Sequence, residues 1–381
     1  MSHYFDHAAT TQMRESAIAA WDEQARGVGN PSAIHGAGRA ARKVVEESRE
    51  AIAAQLGTDP SEIIFTSGGT EADNMAVLGI ARARRGFDSQ LSTILVSPIE
   101  HHAVLDAAYF LVSEGFTVID LPVNADGVID VESTRDLVDA HAGRIALATC
   151  MWVNNEIGTI QPVEHLAEIM AEHSIPYHCD AVQAGWVTST NPTWSDQTTS
   201  FAMSAHKMGG PMGIGALILP RTMPIQPIGF GGGQERKLRS GTVPVPLVAS
   251  FAAAVREAGD NRDEEHARLT RFSARLESIL TSVDAEIIGG ARTPSITYAL
   301  FPGCRAQDLI VLLDQQGIFV SSGSACTAGV VQASHVLLAL GRSEEESLTG
   351  LRFSCGWSTT DDDLDALTAA LPQAVARARR I

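Results

Sequence analysis

Residues 62–74 read "EIIFTSGGTEADN": an apolar run, a glycine pair, then a polar stretch of helix-forming residues. A short apolar segment that stops at glycine and passes directly into a helix is the strand, turn, helix step of an α/β sheet. The first turn of such a helix has backbone N–H groups without intrahelical acceptors, and the helix dipole places its positive end there, so the turn suits an anion. Gly68, Gly69 and Thr70 are therefore candidate phosphate ligands. The stretch is neither a Walker A loop nor G-x-G-x-x-G, and a tight turn that needs glycine for positive φ accounts for the same letters.

Upstream, "GRAARKVVEESREAIAAQL" places Val45, Ile52 and Leu56 on one helical face, with Gly57 as the stop. Downstream, apolar runs recur between polar helical segments: "STILVS" (92–97), "RIALATCMWV" (144–153), "IPYHCDA" (175–181), "TSFAMSA" (199–205) and "GIGALIL" (213–219). Strands alternating with helices predict an α/β fold with a largely parallel sheet covered by helices on both faces. Ligands of such sheets sit beyond the carboxyl ends of the strands. After "GGGQERKLRSGTVPVPL" (231–247) the pattern changes to one long charged helix, "VREAGDNRDEEHARLTRFSARLESIL", and then to strand-like "SITYALF" and "GIFVSS". The expected division is a large domain over 15–260 and a smaller α+β domain formed by 1–14 with 261–381.

The 381 residues, 45% hydrophobic and 19% charged, describe a globular chain able to bury sizeable cores. A net charge of −17 argues against a surface that neutralises nucleic-acid phosphates. The N-terminus lacks a cationic segment followed by an apolar one, and no apolar stretch is long enough to span a bilayer. The expectation is a cytoplasmic protein with no membrane partner. Five cysteines without a pairing pattern argue against a disulfide framework, which leaves each as a packing residue, a ligand or a nucleophile.

Four stretches carry residues suited to chemistry. In "IEHHAVLD" (99–106), His101 and His102 follow a strand-like segment, where a ring can stack on a planar ligand or carry a proton. In "YHCDAVQ" (177–183), alternation places His178 and Asp180 on one face and Cys179 on the other, which disfavours a shared zinc ion. A lone carboxylate at a strand end can instead keep a ring nitrogen protonated, or simply cap the next helix. In "AMSAHKMGG" (202–210), Lys207 projects from the loop after a strand, where desolvation can free its amine for Schiff-base chemistry. In "VSSGSACTAG" (320–329), Cys326 lies among small polar residues that predict a loop, the setting in which a thiol can react. Cys150 and Cys179 read as packing residues, Cys304 as a turn cysteine, and Cys355, near Arg352, stays open. An anion cradle, a ring-nitrogen carboxylate and an amine together describe a site for pyridoxal 5′-phosphate.

The ordered set "SGGTEADN", "EHHAVLD", "VNNEIG", "HCDAVQ", "SAHK", "RSGT", "SSGSACT" and "LRFS" resembles the cysteine desulfurases, pyridoxal-phosphate enzymes of the class V aminotransferase group. The resemblance runs from "YFDHAATT" to "LRFSCGW", and "SSGSACT" is similar to the branch with an extended cysteine loop. It implies the type I fold of pyridoxal-phosphate-dependent transferases, with the cysteine loop on the small domain. It makes Lys207 the Schiff-base lysine, Asp180 the partner of the pyridine nitrogen, and His101 the ring that stacks on the cofactor and relays protons. Gly69, Thr70, Ser204 and His206 would hold the phosphate, and Gln183 the ring oxygen. Asn155 would lie near cofactor and substrate, Arg352 would bind the substrate carboxylate, and Thr242 would reach the phosphate of a neighbouring subunit in a homodimer.

The resemblance implies conversion of L-cysteine to L-alanine with a persulfide on Cys326. The sulfur would pass to an acceptor protein, a cluster scaffold or a thiolation factor, for iron–sulfur assembly or for tRNA or DNA thio-modification. The competing readings are a selenocysteine lyase or aminotransferase on the same fold and a non-catalytic sulfur-transfer scaffold. A nicotinamide oxidoreductase is disfavoured by the missing G-x-G-x-x-G. Met212 and "AGVVQASHVL" after the cysteine depart from the commoner family pattern and bear on the acceptor.

Overall fold

Burial at every position of Ile63–Thr66 is what a strand covered on both faces requires, and alternate side chains enter different cores. A computed structural model describes residues 2–184, 199–323 and 332–380. In chain order the strands among them are β1 (His3–Tyr4), β2 (Ile63–Thr66), β3 (Thr93–Val96), β4 (Thr117–Asp120), β5 (Ile145–Thr149), β6 (Tyr177–Asp180), β7 (Thr199–Ser204), β8 (Gly215–Ile218), β9 (Glu286–Ile288), β10 (Ile296–Leu300), β11 (Ile318–Phe319) and β12 (Gly350–Ser354). Seven of them form one sheet in the order β2-β8-β7-β6-β5-β3-β4, in which β8 alone runs antiparallel to its neighbours. This is the expected α/β fold with a mostly parallel sheet flanked by helices.

One face of the sheet packs Ile64, Ile94 and Leu217 against Met75 and Ile80 of the helix Gly69–Phe87 and Val104 of the helix His102–Phe110. The other face packs Phe65, Tyr177 and Phe201 against Val45 and Ile52 of the helix Gly36–Leu56, and against Leu166 and Phe251. Gly57 ends that long helix with φ +68, the left-handed cap expected of its glycine. A third core lies elsewhere: the antiparallel sheet β12-β10-β9 and the helices Arg262–Thr281, Ala306–Asp314 and Asp361–Ala378 bury Phe272, Leu309, Phe353 and Leu367 together with Phe5 from the N-terminal segment.

Two features depart from the sequence expectations. The single long charged helix is two, Val245–Asp260 and Arg262–Thr281, broken at Asn261 (φ −100, ψ 5). The first buries Phe251 and Val255 in the core of the large sheet and the second Leu269 and Leu276 in the third core, so the chain must turn between them. Gly259, Asp260 and Asn261 are poor helix formers and provide the break. Strand β4, paired only with β3 at the sheet edge, was hidden because Thr117 and Asp120 face solvent. Cys304 closes the expected turn, its N–H donating to the Phe301 carbonyl at 3.0 Å, and its side chain is buried in the third core.

The segment after the glycine run adopts an uncommon backbone: Glu235, Arg236 and Lys237 have φ of 41, 59 and 63. Glu235 is fixed there because its carboxylate accepts from both terminal nitrogens of Arg49 (2.9 and 2.8 Å) and from the Phe65 N–H (2.8 Å) on the open edge of β2. Arg236 donates to the Leu219 carbonyl at 3.0 Å. Lys237 is exposed, and a left-handed conformation costs a residue with a Cβ about 1–2 kcal/mol. Lys237→Gly is expected to raise stability by about 1 kcal/mol. Denaturant unfolding of both proteins checks this, and a less stable variant would show that the lysine compensates for its strain.

Candidate active site

Five strands of the large sheet end at one edge, and the turns beyond them carry the residues singled out above. Gly69 and Thr70 follow β2, His101 follows β3, Asn155 follows β5, Asp180 and Gln183 come from the end of β6, and Ser204, His206 and Lys207 from the end of β7. All of them line one cavity of about 430 Å³, of the size that takes a small-molecule ligand. Arg352 of β12 closes it from the side of the third core. Thr242 is exposed and lies outside this cavity, and Cys326 lies outside the described residues.

Lys207 ends the single 3₁₀ turn Ala205–Lys207 after β7, and its Nζ donates to the carbonyls of Ala8 (2.5 Å) and Ala9 (3.0 Å). Burial lowers its pKa to about 8; the Arg352 guanidinium acts in the same direction, and Asp180 and Asp6 oppose it. The amine is thus available in neutral form near neutrality, as nucleophilic or base chemistry requires. Beside it, burial lowers His206 to about 4, and its Nδ1 lies 3.1 Å from Thr10 Oγ1.

Asp180 is buried, with Oδ1 accepting the Val182 N–H at 2.9 Å. Burial and then the nearby Asp73 raise its pKa to about 7, while His101 pulls it down. A buried carboxyl in this state gains most from a cationic partner in the cavity. His101 caps the helix His102–Phe110: its Nδ1 accepts the Ala103 N–H at 3.1 Å, which leaves Nε2 for the cavity. His102 sits at the rim against the ring of His335, with centroids 4.8 Å apart.

Arg352 is buried, donates from Nη1 to the Asn155 carbonyl (2.8 Å) and from Nη2 to Asp6 Oδ1 (2.6 Å), and its Nε has no partner among the described residues. A buried guanidinium with donors to spare is suited to a small carboxylate. Sequence reasoning missed Asp6, Asp73, Glu156 and the Ala8 and Ala9 carbonyls. The need of a buried arginine for a counter-charge was the one signal for Asp6, which stands in the quoted "YFDHAATT".

The anion cradle is built as the sequence implied. A Cβ on Gly69 would lie 2.6 Å from Val182 Cγ2, so the helix start can approach the end of β6 only as glycine. The first-turn amides of Gly69 and Thr70 then face the cavity without intrahelical acceptors. An anion cradle, a buried carboxyl and a largely buried amine of lowered pKa converge on one cavity, and this donor set fits pyridoxal 5′-phosphate.

The pattern that defines the class V aminotransferases matches residues 3–367. The chain belongs to the class V aminotransferase family. Members of this family, the cysteine desulfurases included, depend on pyridoxal phosphate. This class V aminotransferase is 43% identical over 99% of its length, and 97% of the relative's, to an IscS-like cysteine desulfurase of Mycobacterium tuberculosis. Among solved structures it is similar to a NifS-like protein, with a TM-score of 0.90 at 33% identity over 99% of this chain and all of that one. It is also similar to SspA in complex with cysteine, with a TM-score of 0.79 at 31% identity over 93% and 98% of the two chains. The neighbours share the type I fold of pyridoxal-phosphate enzymes.

The cysteines separate by environment. Cys150, Cys179, Cys304 and Cys355 are all buried and free. Burial pushes the Cys150 and Cys179 thiols well up, and that of Cys355 to about 12. Cys355, left open by the sequence, is therefore held as a neutral thiol. Among the described residues no helix is long and apolar enough to cross a membrane.

Proposed function

We propose that this class V aminotransferase is a pyridoxal-phosphate-dependent cysteine desulfurase that converts L-cysteine to L-alanine and retains the sulfur as a persulfide on Cys326. The convergence of Lys207, Asp180 and the Gly69–Thr70 turn on a cavity closed by the buried Arg352 carries this reading. Its relatives' names and the cysteine bound to SspA support the substrate.

The Gly69 and Thr70 amides, with Ser204 and His206, would hold the phosphate. Gln183 would meet the ring oxygen, His101 would stack on the ring, and Asp180 would pair with its nitrogen. Once bound, the cofactor supplies an electron sink that acidifies the α-proton of the amino acid. Lys207 takes that proton as the amine and later returns it, which its lowered pKa permits. Arg352 orients the substrate through its carboxylate, beside Asn155. The Cys326 thiolate attacks the substrate sulfur: the carbon–sulfur bond breaks, a sulfur–sulfur bond forms, and alanine leaves.

Several parts of the proposal concern the assembly. The protein acts as a cytoplasmic homodimer in which Thr242 reaches the phosphate of the second copy. The large domain spans 15–260, and 1–14 with 261–381 form the smaller one. The sulfur passes to a protein acceptor for iron–sulfur cluster assembly or thio-modification.

The test is a single-turnover reaction with L-cysteine and no added thiol. One alanine and one protein-bound persulfide per loaded site is the expected result. A keto acid without persulfide would identify an aminotransferase, and alanine with elemental sulfur in place of the protein persulfide a lyase; either would overturn the reading.

A further inference from the structure

Under Asp180 lies a second carboxyl for which the proposed reaction has no task. Asp73 is 1% exposed, stands on the helix Gly69–Phe87 one turn beyond Gly69 and Thr70, and lines the same cavity. Its Oδ1 lies 3.1 Å from Nε2 of His178, and His178 Nδ1 lies 3.1 Å from Ser200 Oγ. His178 and Ser200 are both wholly buried. Alternation along β6 places His178 on the same face as Asp180. The bond therefore ties the phosphate-binding helix to the strand that presents Asp180.

Two arrangements of protons satisfy these distances. In one, ionised Asp73 accepts from Nε2–H, and the Ser200 hydroxyl donates to Nδ1. In the other, Asp73 keeps its proton and donates it to Nε2, Nδ1–H donates to Ser200, and the Ser200 hydroxyl donates onward to the Tyr177 carbonyl, 3.5 Å away. The first arrangement places two carboxylates in one dry compartment, with the buried acid Glu100 beside both. Like charges so enclosed do not all ionise. The groups facing Asp180 are Asp73, Glu100, His101, His178 and Lys207, two of them able to carry a positive charge from the cavity side. The Asp73 carboxyl meets Asp180, Glu100, His178 and the Cys179 thiol, and burial drives it toward its protonated form. Burial also lowers His178 to about 4, which disfavours an imidazolium as its counter-ion.

We infer that Asp73 donates its proton to His178 Nε2, and that the Asp73–His178–Ser200 chain is a positioning device that holds β6 to the phosphate-binding helix while leaving Asp180 as the charged carboxylate under the cofactor ring. Asp73 and His178 are positioning residues and act through Asp180. The clause on the cofactor ring rests on the proposed function, whereas the hydrogen-bond direction does not.

The experiment has two readouts on the full-length protein. The first is ¹⁵N NMR of histidine-labelled protein at pH 8, with His178→Gln to assign the signal. The expected result is a neutral ring protonated on Nδ1 with a bare Nε2; a proton on Nε2 overturns the inference. The second is the pH dependence of pyridoxal-phosphate affinity for the cofactor-free protein, in wild type and in Asp73→Asn. Affinity is expected to fall as pH drops through the titration of Asp180, which burial alone holds above the usual carboxylate range. Asparagine is uncharged and still donates to Nε2, so the midpoint is expected to stay in place. An ionised Asp73 would have raised that midpoint, and removing it would lower the midpoint by about one unit, roughly tenfold in affinity at acid pH, which overturns the inference. Failure to bind the cofactor at any pH would count against the proposed function, and the His178 signal would still decide this inference.

Discussion

Lys207→Ala is expected to lower alanine formation from L-cysteine by at least about 10⁴-fold, equivalent to about 5.4 kcal/mol of transition-state stabilisation. The amine has two tasks in the proposed reaction, attachment of the cofactor and movement of the α-proton, and among the described residues no other amine lines the cavity. Lys207→Arg is expected to fail equally, because a guanidinium stays charged and is no base at working pH. The fold should survive, since Nζ is bonded to two backbone carbonyls rather than to a carboxylate that would be orphaned. The wild-type amine is mostly protonated below its pKa of about 8 and mostly neutral above it. Capture of pyridoxal phosphate by the cofactor-free protein should therefore speed up as pH rises through about 8, well below the onset expected of an exposed lysine. Borohydride reduction followed by peptide mapping checks the attachment: wild type should carry the label at Lys207 and the alanine variant none. A variant that still makes alanine at the wild-type rate would remove Lys207 from the chemistry.

The fold was legible because the sheet interior is covered on both faces. Strands such as Ile145–Thr149 are buried at every residue and appear in the sequence as unbroken apolar runs. Where solvent covers part of a strand, as at Thr117–Asp120, the run disappears. Lys207, Asp180 and His101 were legible for a related reason, since each follows such a run and so lies at the edge where loops meet. Asp6 was not, because its partner Arg352 is 346 residues away in the chain and neither letter announces the other. Asp73 was hidden in the same way, 105 residues from His178. Alternation correctly separated Cys179 from His178 and Asp180, yet it could not show which helix supplies the acid that His178 meets. The left-handed turn at 235–237 has no glycine to mark it, because its conformation is held by Arg49 and the edge of β2 rather than by its own residues.

Cys326→Ser is expected to reduce alanine formation at least about 100-fold while cofactor and substrate binding persist. The remaining cysteines cannot replace it. None of Cys150, Cys179, Cys304 and Cys355 lines the cavity that holds Lys207, and all four are buried. The thiolate is the nucleophile, and a thiol pushed to about 12, as in Cys355, is ionised in about one molecule in 10⁴ at pH 8. Burial raises the others as well, so no second thiol can take over. A serine hydroxyl is a far weaker nucleophile toward sulfur and cannot hold a persulfide. Arg352, Asn155 and Lys207 are untouched by the change, so L-cysteine should still alter the cofactor absorbance of the variant. Cys355→Ser serves as the matched control and should retain both alanine formation and persulfide. If Cys326→Ser still forms alanine at the wild-type rate and releases elemental sulfur, or sulfide once an added thiol reduces it, the carbon–sulfur bond is broken without a protein thiol. The protein would then be a lyase, and Cys326 would have no part in the cleavage.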